Sequence, residues 1–146
     1  MYCGTLDNTH LLVRLEKGED IPSSLKQIAK NHNVTNASIT GIGSVENPTL
    51  AHYRMDTRKY HEEKKEGIFE VLSLLGNIMQ ENGEALVHIH MTISDEHMQA
   101  MGGHVVSATT SATMEIFLTL YPSTFGKKAD EEVGLKLLDL PICKKN

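Results

Sequence analysis

His88 and His90 stand one residue apart in the stretch LVHIHMTISDEHMQAMGGH, Leu86 to His104, and His104 itself follows a Gly-Gly pair. Three imidazoles that meet at one point make the protein ligand set of an open zinc site, which keeps a fourth position for water or substrate. Neutral imidazole suits zinc, and nickel, copper or iron accept the same ligand type. The competing account is three unrelated histidines, two of them on the solvent face of a strand.

Strand geometry sharpens the choice. If Leu86 to Ile93 is extended, Val87, Ile89, Met91 and Ile93 face one way and His88, His90 and Thr92 the other. The first face is wholly apolar, as a core-facing side should be. His88 and His90 are then about 6.6 Å apart along the strand, a gap two imidazoles can close by leaning onto one ion. Facing residues of an antiparallel pair project to the same side, so His104 must lie opposite Thr92 or His90 and not Ile93. A symmetric loop would put it opposite Ile93. An extra residue corrects the parity, and a bulge at Gly102-Gly103 is the expected source. His97, inside the loop, is expected to face solvent.

Two carboxylates, Glu70 and Glu115, interrupt otherwise apolar strands, IFEVLSLL and TMEIFLTLY. Burial without a partner would be costly there. One reading makes them catalytic, a proton-transfer group or a partner of a metal-bound water. The other pairs one with Arg14, or leaves both at a subunit interface. Ser44 and Cys3 have no base beside them, so neither reads as a nucleophile. His52 and His61 face each other in a polar hairpin, and without a third ligand they read as surface histidines. Gly41-x-Gly43 lacks the third glycine and following helix of a dinucleotide loop, and more simply marks a bulge or the close approach of a neighbour, which in an oligomer could be another subunit.

The elements that must position these residues alternate short strands with one helix. His10 to Leu15 reads as a strand. Pro22 suits a first helical turn, and Leu25, Ile28, Ala29 and His32 form a stripe ended by Asn31-His32-Asn33. Strand patterns follow at Thr35–Val45, Thr49–Met55, Lys59–Glu63, Ile68–Leu75, Leu86–Ile93, Val105–Thr109 and Ala112–Tyr121, with turn signals at Asp56-Thr57-Arg58 and Glu81-Asn82-Gly83. The leucine-rich tail fits neither period. One helix and about eight strands joined largely by hairpins predict an α+β fold on a curved, mainly antiparallel multi-stranded sheet.

A chain of 146 residues fits one domain, 1–146, and can bury roughly two-thirds of its unfolded surface. No apolar run is long enough for a membrane helix, and MYCGTLDNTHLL has neither the basic nor the apolar region of a secretory signal, so a cytoplasmic location is expected. The two cysteines, Cys3 and Cys143, form no disulfide framework and are expected to be reduced. A formal charge of -5 opposes grip on a polyanion over the whole surface, since such affinity depends on cations that neutralise phosphates. The basic clusters are the pairs Lys64-Lys65, Lys127-Lys128 and Lys144-Lys145, which an oligomer would have to gather.

RLEKGEDIPSSL, SITGIGSVENPTL, GIFEVLSLLGNI, HIHMTISDEHMQAMGGHV and TMEIFLTL together resemble the plant and prokaryote conserved (PPC) domain, in the family's order and over most of the chain. The resemblance implies a fold similar to that of acetolactate decarboxylase, a homotrimer, and metal held at the positions of His88, His90 and His104. Plant relatives carry an AT-hook that binds DNA. This chain has no Arg-Gly-Arg-Pro core, so direct DNA binding is not expected of it. The loop SDEHMQAMGGH also departs from the family's commoner form, in which an Asp and a Gly precede the Gly-Gly. Two functions follow as expectations: a metal-binding homotrimer, with zinc the expected metal, whose site binds or transforms a small oxygen-bearing molecule, or an oligomerisation and interaction module linked to transcription or DNA binding, without catalysis.

Overall fold

A computed structural model describes residues 1–141; Cys143 and the Lys144-Lys145 pair lie outside the described residues. β1 (Tyr2–Asp7) and β2 (His10–Glu16) form an N-terminal hairpin, followed by α1 (Ile21–Asn31). Then come β3 (Asn36–Arg54), β4 (Lys59–Lys64), β5 (Ile68–Glu81), β6 (Glu84–Ser94) and β7 (Ala100–Tyr121). The seven strands make one sheet in the order β1-β2-β7-β6-β5-β3-β4, and β7 also pairs with β3. The ladders β7–β6, β6–β5, β5–β3 and β3–β7 therefore return to their starting strand, which bends the sheet round on itself. Every ladder is antiparallel. The α+β class and the curved antiparallel sheet are as expected.

Alternation builds the core. Val13, Leu15, Ile39, Leu74, Ile78, Ile89, Met91, Ile93, Met114, Ile116 and Leu118 all turn inward and are essentially inaccessible. α1 closes this face with Ile21, Leu25, Ile28 and Ala29. Asp20 caps it, its Oδ1 accepting from the Ser23 N–H at 3.0 Å, and Pro22 occupies the first turn where no donor is lost. His32 ends the helix from the C-cap position, exposed, and is not part of the buried stripe.

Three expectations need correction. Asn47-Pro48 does not break the chain into two strands: β3 runs through, with Asn47 at φ 48° and a register shift between Glu46 and Thr49 absorbing the irregularity. Likewise Val105–Thr109 and Ala112–Tyr121 belong to one 22-residue strand, β7. The close neighbour of Gly43 is in the same chain, not in another subunit. At φ 152°, a Cβ there would lie 2.2 Å from the Thr113 carbonyl oxygen of β7.

The tail forms a second, two-stranded sheet from β8 (Lys127–Asp130) and β9 (Leu135–Leu138). Side-chain hydrogen bonds and an ion pair hold this hairpin and its lead-in to the main sheet. The Asn36 amide donates to the Phe125 carbonyl at 2.9 Å and accepts from the Phe125 N–H at 2.7 Å. Tyr53 Oη donates to the Val133 carbonyl, an Arg58 Nη donates to that of Glu131, and Lys136 pairs with Glu81. No helix among the described residues is long and apolar enough to cross a membrane.

Candidate metal centre

His88 and His90 leave β6 on the face opposite its buried Ile89, Met91 and Ile93, as the alternation predicts. In β7, His104 is the direct register partner of His90. The required register is met, but not by the expected device. The β6–β7 ladder runs without a bulge from His90↔His104 to Ser94↔Ala100, so Gly102 and Gly103 are regularly paired. Parity is set by the five-residue connection Asp95–Gln99 and by a return strand that begins at Ala100, four residues before His104. Asp95 Oδ1 accepts from the N–H groups of His97 and Gln99 at 2.9 Å each, and Met98 takes φ 61° to turn the chain. Gly102 serves close approach: a Cβ there would sit 2.6 Å from the Met91 carbonyl oxygen. His97 is exposed.

The result brings the three predicted ligands together. One nitrogen from each of His88, His90 and His104 lies within 4.8 Å of the others. The ring centroids are 5.2, 5.2 and 5.3 Å apart. The Nε2 atoms of His88 and His90 face each other at 3.3 Å. His104 Nδ1 is buried without a hydrogen-bond partner. Crowded ring nitrogens, one of them orphaned, are what a bound cation would satisfy, so the residues fit a metal.

Burial at the site favours the neutral form of His88 and His104. Burial, joined by the charges of Lys127, His104 and His90, pushes the His88 imidazole down to about 4. Burial also lowers His104, with His90 and Lys127 acting in the same direction and Glu62 against them. Neutral imidazole is the form that ligates.

Two groups that sequence reasoning did not assign to the site complete it. Tyr60 of β4 stacks on His104, with centroids 5.1 Å apart and planes at 29°, and Tyr53 meets Tyr60 edge-on at 5.0 Å. Lys127 of β8 places Nζ 3.1 Å from His88 Nδ1. Beside the histidines opens a cavity of about 620 Å³, walled by Leu86 and Val87 of β6 and by Leu135 and Leu137 of β9. The only sequence signal for Lys127 was its place in a basic pair.

Glu70 and Glu115 are not brought to this group. Both are exposed, so the burial cost that singled them out does not arise. Glu70 lies opposite Ser94, four residues along β6 from His90, and Glu115 is eleven residues along β7 from His104. Glu115 is the register partner of Arg14, whose guanidinium pairs with Glu16 instead. The carboxylate whose charge acts on His104 is Glu62. His52 and His61 are register partners across β3 and β4, both exposed, as expected of a surface pair.

A family model for the Plants and Prokaryotes Conserved (PCC) domain matches residues 4–122. No curated protein matches the chain. Among solved structures, a PPC protein from Pyrococcus horikoshii is 25% identical with a TM-score of 0.85, over 97% of this chain and 96% of that one. A metal-containing protein from Archaeoglobus fulgidus is 25% identical with a TM-score of 0.83, over 94% and 98%. A protein from Ralstonia eutropha JMP134, named as a candidate DNA-binding protein, is 27% identical with a TM-score of 0.86, over 92% and 94%.

Proposed function

The chain belongs to the Plants and Prokaryotes Conserved (PCC) domain family, and from that premise we propose a single-domain, metal-binding homotrimer whose His88, His90 and His104 hold zinc beside a cavity for a small oxygen-bearing molecule. The observation that carries this reading is the meeting of three ring nitrogens within 4.8 Å on a face that is otherwise the solvent side of a strand. Nickel, copper or iron are accommodated by the same donors. A divalent cation there would supply Lewis acidity, polarising a carbonyl or carboxylate or activating water. The chain's own part is to hold His88 and His104 neutral, to fix His104 by stacking on Tyr60, and to shape the ligand space with Leu86, Val87, Leu135 and Leu137. The metal-containing Archaeoglobus relative supports the metal.

Self-association is supported by an outward apolar patch. Leu75 and Phe117 flank Thr40 as its register partners on either side, and Ile42 is the next outward residue of β3. All three are about half exposed, which a lone chain in water gains nothing from. Three copies is the assembly implied by the family resemblance.

Elemental analysis of the purified protein beside His88→Ala tests the metal. The expected result is about one equivalent per chain in the parent, lost in the variant. Stoichiometric metal that survives in His88→Ala would sink the assignment. The Ralstonia relative's name favours a second reading, an interaction module on DNA. The net charge of -5 opposes it, and retention on duplex DNA at physiological salt would reverse that preference.

A further inference from the structure

Lys127 is held in a position that a metal-bearing His88 would not tolerate. Its Nζ lies 3.1 Å from His88 Nδ1, where the ammonium donates to the ring's lone pair. His88 faces His90 through Nε2, and a neutral imidazole has one donor nitrogen and one acceptor. His88 that ligates through Nε2 must carry its ring proton on Nδ1. That N–H would then oppose the N–H groups of Lys127, two donors with no acceptor between them. Lys127 has to turn away, and the space beside it is the cavity it already lines.

The other charged groups lining that cavity are Lys136, Asp130 and Glu131, and none of the carboxylates pairs with Lys127. Lys136 is paired with Glu81. Asp130 Oδ1 accepts from the Val133 N–H inside the β8–β9 turn. Glu131 stands at the exposed end of the hairpin, its carbonyl bonded to Arg58. Lys127 has no carboxylate partner among the described residues, and its stem is half-buried against apolar side chains. A cation that lacks a counter-ion, set in a wall of Leu86, Val87, Leu135 and Leu137, calls for an anion with a short apolar body.

We propose that Lys127 is the anion anchor of this cavity, released from His88 when the three histidines are loaded, and that the ligand class is a small monocarboxylate with a short apolar chain. The inference rests on the metal reading above. It adds an order of events: metal first, carboxylate second.

Calorimetry of the zinc-loaded protein with 2-oxobutanoate and with its neutral amide tests this, with zinc content measured on every sample. The carboxylate is expected to bind the loaded parent in the millimolar range or tighter and the amide much more weakly. Removing the metal, or Lys127→Met with zinc content intact, should each weaken carboxylate binding on the order of tenfold or more, the scale of one hydrogen bond to a charged group. Lys127→Arg should retain most of it. A parent that takes up no zinc fails the metal reading and this inference with it. Full zinc content with no carboxylate binding, with equal affinity in Lys127→Met, or with equal affinity for the amide overturns this inference alone.

Discussion

A histidine that must ligate and a histidine that must be soluble make opposite demands on the proton. His88 is held to the first by burial and by the nearby cation of Lys127, which bring its pKa from the ordinary 6.5 to about 4. The unfolded chain binds that proton at pH 6 and the folded chain does not, so folding stability rises with pH across this interval. In chelator-treated protein, the contribution is complete above about pH 6.5 and is lost as pH falls towards 4. Urea midpoints measured at pH 7.5 and 4.5 should therefore differ more for the parent than for His88→Asn. Equal differences would mean that the ring is protonated in the folded protein. At this scale the sequence was legible for His88, His90 and His104, because alternation and a count of ligands are local properties. Lys127 and Tyr60 were not, since they reach the site from strands far away in the chain. Glu70 and Glu115 misled because an acidic residue in an apolar run reads as buried, whereas both face out from a sheet that has only one buried side.

Among the elements, the β6–β7 connection decides whether the three rings meet. A slip of one residue would send His104 to the core face. The present register needs β6 and β7 backbones close at Gly102, where an added methyl group would stand 2.6 Å from the Met91 carbonyl oxygen. Gly102→Ala should push the strands apart beside the His90↔His104 rung. The expected outcome is a folded protein, less stable by roughly 1–3 kcal/mol as for other overpacked sites, with weakened metal retention on dialysis. Unchanged retention would show that the ring positions do not depend on this contact. The need for a particular register could be deduced from side-chain parity alone. Its cause could not, because Met98 adopts a left-handed turn that residue preferences give to glycine. For the same reason the continuity of β3 through Asn47-Pro48 was hidden, while the helix was plain from Asp20, Pro22 and a three-four repeat of apolar residues.

In the whole molecule, a bent sheet with α1 on its inner face leaves an outer face that carries both the histidines and the patch of Ile42, Leu75 and Phe117. Leu75 is the register partner of His90, so patch and site adjoin. Light scattering should give three times the mass of one chain, and Phe117→Asp should lower it, since a charge in an apolar contact is costly to desolvate. A parent that runs as a single chain would overturn the assembly. The fold class was legible because hairpin signals and period-two runs are dense here. The closing of the sheet through β7 was not, since it depends on one strand meeting three others.

The cavity has two walls of different origin. The histidines stand on strands inside the stretch that the family model matches, 4–122, while Lys127, Leu135 and Leu137 belong to a hairpin beyond it. On the proposed reading, the three ion ligands lie wholly inside that stretch, while part of the wall that meets a guest lies outside it. Replacing the hairpin would then change the guest without touching the three histidines, so the hairpin and the histidines can be varied independently in the experiments above.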